Sequence, residues 1–284
     1  MRIDKAALAA FGSTSLFVLL WSGGGIAAKL GLAEATPFAF LTLRFAVGLA
    51  GLSAVGLLRG QLLPASGTRL QVAMTGAVLV GAYSICYLLA LAHEVTPGVL
   101  ATLLGVQPIL TLVLVERRFP LARLAGLGLA LGGLVLIVWQ SLAAAHFAGA
   151  GTGFALLALI ATTAGAILQK RIRAAPATVL PLQYTVGLVM TLACLPFEPF
   201  HFAWTAAFLG PLAYMGLVIS VGATLLFYRL IQAGNLVNVT SLFYLVPIGT
   251  ALLDYLLLGH PMAPLALVGM AAILLGIGLV FKTA

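Results

Sequence analysis

Hydrophobic residues run along this chain in blocks of roughly 20, the length that carries a helix through the hydrocarbon core of a bilayer. Polar residues are confined to short gaps between the blocks. The pattern predicts ten spans, at 6–28, 36–58, 69–91, 96–115, 121–140, 152–171, 178–196, 205–229, 236–258 and 263–281. The connectors RGQLLPASGTR (59–69), ERRFPLAR (116–123), QKRIRAAP (169–176) and FEPFHFAW (197–204) hold most of the charge and leave no room for a water-soluble domain. Arg2 and Lys5 precede the first block, but it is too long for a signal-peptide core and nine further blocks follow, so it is expected to stay in the protein.

A slower pattern is superimposed on the first. Sliding the sequence by 139 positions places Pro37 on Pro176, Arg44 on Gln183, VGL at 47–49 on VGL at 186–188, and Pro108-Ile109 on Pro247-Ile248. Later the offset is 143, pairing Gly126 with Gly269 and Gly133 with Gly276; near the start it is 141, pairing Lys29 with Lys170. Two repeats, 1–145 and 146–284, are expected. Five spans per repeat is an odd number, so the second must enter the membrane from the side opposite to the first. The predicted fold is an all-α membrane protein of ten transmembrane helices, built as two inverted five-helix repeats around a central cavity.

Charge then orients the chain. With the N-terminus inside, twelve Lys and Arg residues fall on one side and only Lys29 on the other, while Arg44 lies within a span. Both termini are therefore expected in the cytoplasm. The connector ERRFPLAR of the first repeat is internal, whereas its counterpart GHPMAP at 259–264 has no Lys or Arg and is external. Composition agrees: 63% of residues are hydrophobic, 7% are charged and the mean hydropathy is +1.20, too apolar for a soluble domain to cover its surface. The net charge of +8 does not point to nucleic acid, because the bases sit in clusters between apolar runs.

Particular segments resemble a known family. WSGGGIAAKLGL at 21–32, followed by Pro37 and LRF at 43–45, is similar to the first helices of the EamA-type drug/metabolite transporter superfamily. YLLAL at 87–91, Pro97 and GVQPILTLVLVER at 105–117 resemble its third and fourth helices, and LFYLVPIGTALLDYLLLGHPM at 242–262 its ninth and the following loop. The chain departs at Gly259-His260, where a Gly-Glu pair is commoner, so no role for that acid carries over. Among ten-helix relatives it is most similar to YddG-type bacterial exporters of aromatic amino acids. The resemblance implies a multi-pass secondary transporter of the inner membrane that exports small metabolites, amino acids above all, by alternating access. It also implies that helices three, four, eight and nine, with one and six, surround the cavity, while five and ten lie outside. Exporters of other metabolites or drugs, and a non-transporting scaffold, are the alternatives; a monomer suffices for any of them.

The polar residues inside the spans are the candidates for chemistry. Tyr83 and Tyr87 lie one helical turn apart and face the same way, as a wall for substrate or as a packing face. Trp21 lies deep in the first span beside Ser22 and three glycines, whereas Trp139 and Trp204 suit an interfacial belt. Pro108 and Pro247 lack an amide hydrogen, and each is either a hinge or an ordinary kink. Gln107, Asn238, Ser241 and Tyr244 add donors and acceptors nearby. Arg44 within a span needs a partner or water, and serves either as a structural tie or for a substrate carboxylate. Gly128 and Gly132 on the fifth helix, with Gly276 and Gly278 on the tenth, are expected packing faces.

Other chemistry is poorly provided for. Six carboxylates, none paired within a span, and four dispersed histidines offer no metal site and no acid–base pair. Cys86 and Cys194 read as packing residues. No enzyme activity, metal or cofactor is expected. The stretch WSGGGI also lacks the central carboxylate by which small multidrug antiporters exchange protons for cations, which favours a neutral or zwitterionic substrate.

Overall fold

The computed structural model describes residues 5–116, 119–143, 149–258 and 262–283. Among these the only extended pairing is one bridge between Ala35 and Phe202; the rest is helix and connector. The long helices are α1 (Lys5–Ser22 continuing as Gly24–Glu34), α2 (Pro37–Leu58), α3 (Ser66–Ala92), α4 (Pro97–Val115), α5 (Leu121–Ile137), α6 (Gly149–Lys170), α7 (Pro176–Phe197), α8 (Ala206–Ala233), α9 (236–258) and α10 (Pro264–Lys282). Among the described residues nine stretches are long and apolar enough to cross a membrane, and Leu121–Ile137 is apolar but shorter. Two ends differ from the sequence expectation: α1 continues past 28 to Glu34, and α8 past 229 to Ala233. Lys29 and Arg229 mark those places in the sequence, but both are exposed, and a long cationic side chain reaches water from within a helix.

Proline sets where several helices begin. Pro37, Pro97, Pro176 and Pro264 occupy the first turn of their helices, where the missing amide hydrogen leaves no bond unmade. Two deeper prolines mark interruptions, whereas Pro181 and Pro211 lie within helical stretches of α7 and α8. α4 breaks at 105–106, just before Pro108, and α9 passes through a 3-10 turn at Leu242–Tyr244, just before Pro247. The two interruptions touch, the Tyr244 hydroxyl donating to the Gly105 carbonyl.

Three further irregularities lie in α1, α3 and α8. α1 breaks at Gly23, where a Cβ would lie 2.5 Å from the Tyr214 hydroxyl. Carbonyls in the turn before this break accept donors from other helices: Tyr214 binds Leu20 and Thr250 binds Ser22, each at 2.6 Å. α3 and α8 widen into π-helical segments at Ala77–Ala82 and Tyr214–Ala223.

Two main cores hold the helices. One gathers α1, α2, α3, α6, α7 and α8 around Phe17, Phe40, Phe45, Tyr184 and Phe227. The other joins α4, α5, α9 and α10 through Leu112, Leu127, Tyr244 and Ile273. Leu114, Leu256 and Leu275 are 67%, 72% and 66% exposed, as an outer surface facing lipid permits.

α5 and α10 touch backbone to backbone. A Cβ on Gly126 would lie 2.8 Å from the Gly276 carbonyl oxygen, and one on Gly133 would lie 2.5 Å from that of Gly269. As α5 advances two turns from Gly126 to Gly133, its contact on α10 retreats from Gly276 to Gly269, so the two helices run antiparallel. This corrects the expected packing face, since Gly128, Gly132 and Gly278 meet open space. Spacing by four marks a stripe of small residues, but an apolar helix offers several such stripes and only the neighbour selects one.

Candidate functional site

Arg44 projects from α2 about two turns after its start. It is 9% exposed, and its Nε donates to Ser220 Oγ on α8 at 3.2 Å. Ser220 is held by its own bond to the Met215 carbonyl at 2.8 Å, five residues back, a reach supplied by the π segment. The guanidinium carbon lies 5.8 Å from the centre of the Phe45 ring. Among the described residues the terminal nitrogens of Arg44 make no hydrogen bond, and the ion pair present is elsewhere, between Arg123 and Glu116. The sealed polar side-chain atoms without partners are Thr42 Oγ1, Arg123 Nε and Gln169 Nε2. The Arg44 terminus is not among them, so it keeps some accessible surface.

Tyr83 and Tyr87 lie on the stretch of α3 that packs against α2, the helix of Arg44. Their ring centres are 5.8 Å apart at 53°. Both residues keep accessible surface. Neither hydroxyl has a hydrogen-bond partner among the described residues. The contrast with other interior tyrosines is sharp: Tyr214 donates to Leu20, Tyr228 to Gln183 and Tyr244 to Gly105. The break in α1 adjoins this pair, since a Cβ on Gly25 would lie 3.9 Å from the Tyr87 hydroxyl.

The remaining sequence candidates occupy other places. Trp21 joins an aromatic group with Phe17, Phe227 and Phe243 at centre separations of 5.2, 5.7 and 5.2 Å. Gln107, buried, donates to the Thr162 carbonyl on α6 at 3.3 Å and adjoins the buried Pro108. Tyr244 lies at the α4–α9 crossing, with the partly accessible Pro247 in the next turn. Asn238 and Ser241 sit near the start of α9, with Ser241 donating to the Asn238 carbonyl at 2.8 Å.

Asn238 belongs to a cluster that sequence reasoning missed. Arg123 donates to both Glu116 oxygens at 2.8 and 2.6 Å, and to the side-chain oxygens of Asn235 and Asn238 at 2.9 and 2.8 Å. It ties the α4–α5 connector to the start of α9. At the same end Lys170 Nζ donates to the carbonyls of Ile231 and Gly234, each at 2.6 Å, capping α8. Apart from the Arg123–Glu116 pair, seven positions apart, these bonds join residues more than 60 positions apart, and the sequence reading singled out none of them. A second missed network fills the first core: Gln183 donates to Gln169 at 2.9 Å and accepts from Tyr228 at 2.7 Å.

An apolar recess of about 350 Å³ between α4 and α6 is separate from all of these. Its lining includes Leu110, Leu114, Ile160 and Ile167, and the hydroxyl of its Thr163 is engaged with the Leu159 carbonyl at 2.7 Å. It offers hydrocarbon a seat and a polar solute nothing.

Comparison with known proteins agrees with this architecture. A solved structure titled "Crystal structure of protein" superimposes with a TM-score of 0.76 over 95% of this chain and 98% of its own, at 20% sequence identity, and so shares the fold. No curated protein matches. The model of the EamA-like transporter family matches twice, over residues 9–139 and 149–282. With nine long apolar helices and one shorter among the described residues, and two copies of the family model, this chain belongs to the EamA-like transporter family and is a membrane transporter of small molecules.

Proposed function

We propose that the chain is a secondary exporter of small metabolites, amino acids including aromatic ones above all, that works by alternating access in a bacterial inner membrane with both termini in the cytoplasm. On this reading two inverted repeats, 1–145 and 146–284, enclose one central cavity. The observation that carries it is the α5–α10 contact. Advancing by 143 positions turns Gly126 into Gly269 and Gly133 into Gly276, so the contact Gly126–Gly276 becomes Gly269–Gly133, the second contact present. A contact set that exchanges into itself supports a two-fold relation between the repeats, and its antiparallel partners fit an axis lying across the helices, in the membrane plane of the proposed arrangement. Pairs 139 apart also meet: Phe45 with Tyr184, at 5.4 Å between ring centres, and Gly105 with Tyr244. Residues that touch their own counterparts belong on such an axis.

The two ends differ in a way that supports alternation. Lys170 clamps the end of α8, whereas its counterpart Lys29 is exposed and carries no hydrogen bond among the described residues. The Arg123 cluster adds a second clamp at the base-rich end. We read this as a state closed towards the cytoplasm, in which Asn238 and Ser241 serve the closure and Trp21, Tyr83 and Tyr87 face substrate. Gln107 and Tyr244, beside Pro108 and Pro247, flank a bend in the cavity wall. An aromatic lining accepts flat apolar side chains, which is the support for aromatic amino acids as substrates.

Counterflow of radiolabelled amino acids into proteoliposomes tests the reading. Saturable exchange of at least one aromatic amino acid is expected. Exchange confined to cationic drugs would point to a drug exporter, and absence of exchange with every amino acid and small metabolite tried would leave a scaffold. Tyr87→Ala and Gln107→Ala are expected to weaken exchange more than Trp139→Ala at equal expression; equal transport by all three would remove the site assignment.

A further inference from the structure

Within the exporter reading, on which this inference rests, we propose that Arg44 is the anion-recognising residue of the interior space. Its free terminal N–H groups, with the hydroxyls of Tyr83 and Tyr87, receive a carboxylate of the transported molecule.

The argument is one of unmet donors. A charged group inside a membrane protein is retained at a cost and normally meets a carboxylate or backbone carbonyls. Arg44 has only Ser220. A planar guanidinium presents five N–H donors, and the bond to Ser220 engages one, through Nε. Two phenolic hydroxyls on the stretch of α3 that packs against α2, their rings 5.8 Å apart, also have no partner among the described residues. Three side chains on two packed helices that can donate hydrogen bonds, one of them cationic and none in an ion pair among the described residues, suit a planar anion, since a carboxylate accepts several bonds at once and pairs with guanidinium in a two-pronged geometry.

The equivalent position in the second repeat shows what a purely structural solution looks like. Gln183 stands where Arg44 stands in the first repeat, fully buried, with its donor on Gln169 and its acceptor filled by Tyr228. Both side-chain ends of Gln183 are thus engaged within the protein, although Gln169 Nε2 beside it has no partner. The Arg44 group is open, and a tie between helices alone needs neither a permanent charge nor two idle hydroxyls.

The test is ligand-induced thermal stabilisation of the purified full-length protein in detergent, using 3-phenylpropionate, its amide and phenethylamine at matched concentrations. The carboxylate is expected to stabilise the protein, with an apparent affinity about tenfold or more above that of the amide or amine, because hydrogen bonds to a charged partner are the strong ones. Arg44→Gln abolishes this preference, Arg44→Lys restores part of it, and Tyr87→Phe, which keeps the ring, weakens it several-fold. Equal stabilisation by the acid and its amide, or no stabilisation by the acid, overturns the proposal in the unaltered protein, whether or not Arg44→Gln folds. An undiminished acid preference in folded Arg44→Gln overturns it too. A preference for the acid that depends on Arg44, together with no amino-acid counterflow, would uphold the anion site and refute amino-acid export.

Discussion

Arg44 and Gln183 show how the same place in two repeats is turned to two ends by one side chain. Both are buried and both meet polar groups of neighbouring helices, but Gln183 satisfies itself within the protein while Arg44 keeps its terminal donors in reserve. The sequence made Arg44 conspicuous, because a charge in a span is rare. It did not single out Ser220, which looks like any other small residue of an apolar helix until the fold brings it to Arg44. Glycines carry the same lesson for packing. Gly133→Leu places a Cβ 2.5 Å from the Gly269 carbonyl oxygen and is expected to cost about 1–3 kcal/mol through overpacking. Gly132→Ala meets open space, and its melting temperature should stay close to that of the parent. A thermal scan in detergent compares the two, and equal losses would show that the α5–α10 contact is not tight.

Elements differ in how plainly the sequence announces their irregularities. Pro108 and Pro247 mark the breaks in α4 and α9, because a missing amide hydrogen beyond the first turn leaves a helical carbonyl without its donor. The π segments of α3 and α8 have no such marker: an added residue per turn is fixed by neighbours pressing on the helix, as where the Ser220 hydroxyl reaches five residues back. The connectors were likewise legible as charged gaps, yet their ties were not. Arg123 is 3% exposed and pairs with Glu116, so Arg123→Met strands an acid and is expected to destabilise the base-rich end by on the order of 3 kcal/mol. In the proposed cycle the same change loosens the clamp on α9. A thiol probe applied from the base-rich side should then react faster with a cysteine placed at Val106, in a background without Cys86 and Cys194. An unchanged rate would show that the Arg123 cluster does not hold that end shut.

At the scale of the whole molecule the decisive matter is the direction of the second repeat. Single cysteines at Ser66 and Glu94, introduced into a background lacking Cys86 and Cys194, test the threading of the first repeat: a membrane-impermeant thiol reagent should label the first only from the cytoplasmic face and the second only from outside. Cysteines at Arg173 and Thr205 do the same for the second repeat, again with the first label inside and the second outside. Labelling of Glu94 and Arg173 positions from one face would rule out the inverted arrangement. The sequence by itself determined the solvent, the number and order of the helices, the duplication and the places where proline breaks a helix, because each depends on local hydrophobicity, local sterics or similarity between distant segments. It also exposed Arg44, Tyr83 and Tyr87 as polar residues in an apolar setting. Tertiary structure alone decided which glycines pack, which carbonyls Lys170 caps, and which donors are left without acceptors. Those outcomes depend on the relative placement of helices whose surfaces are nearly uniform in hydrophobicity, so no stripe or period in the chain could specify them.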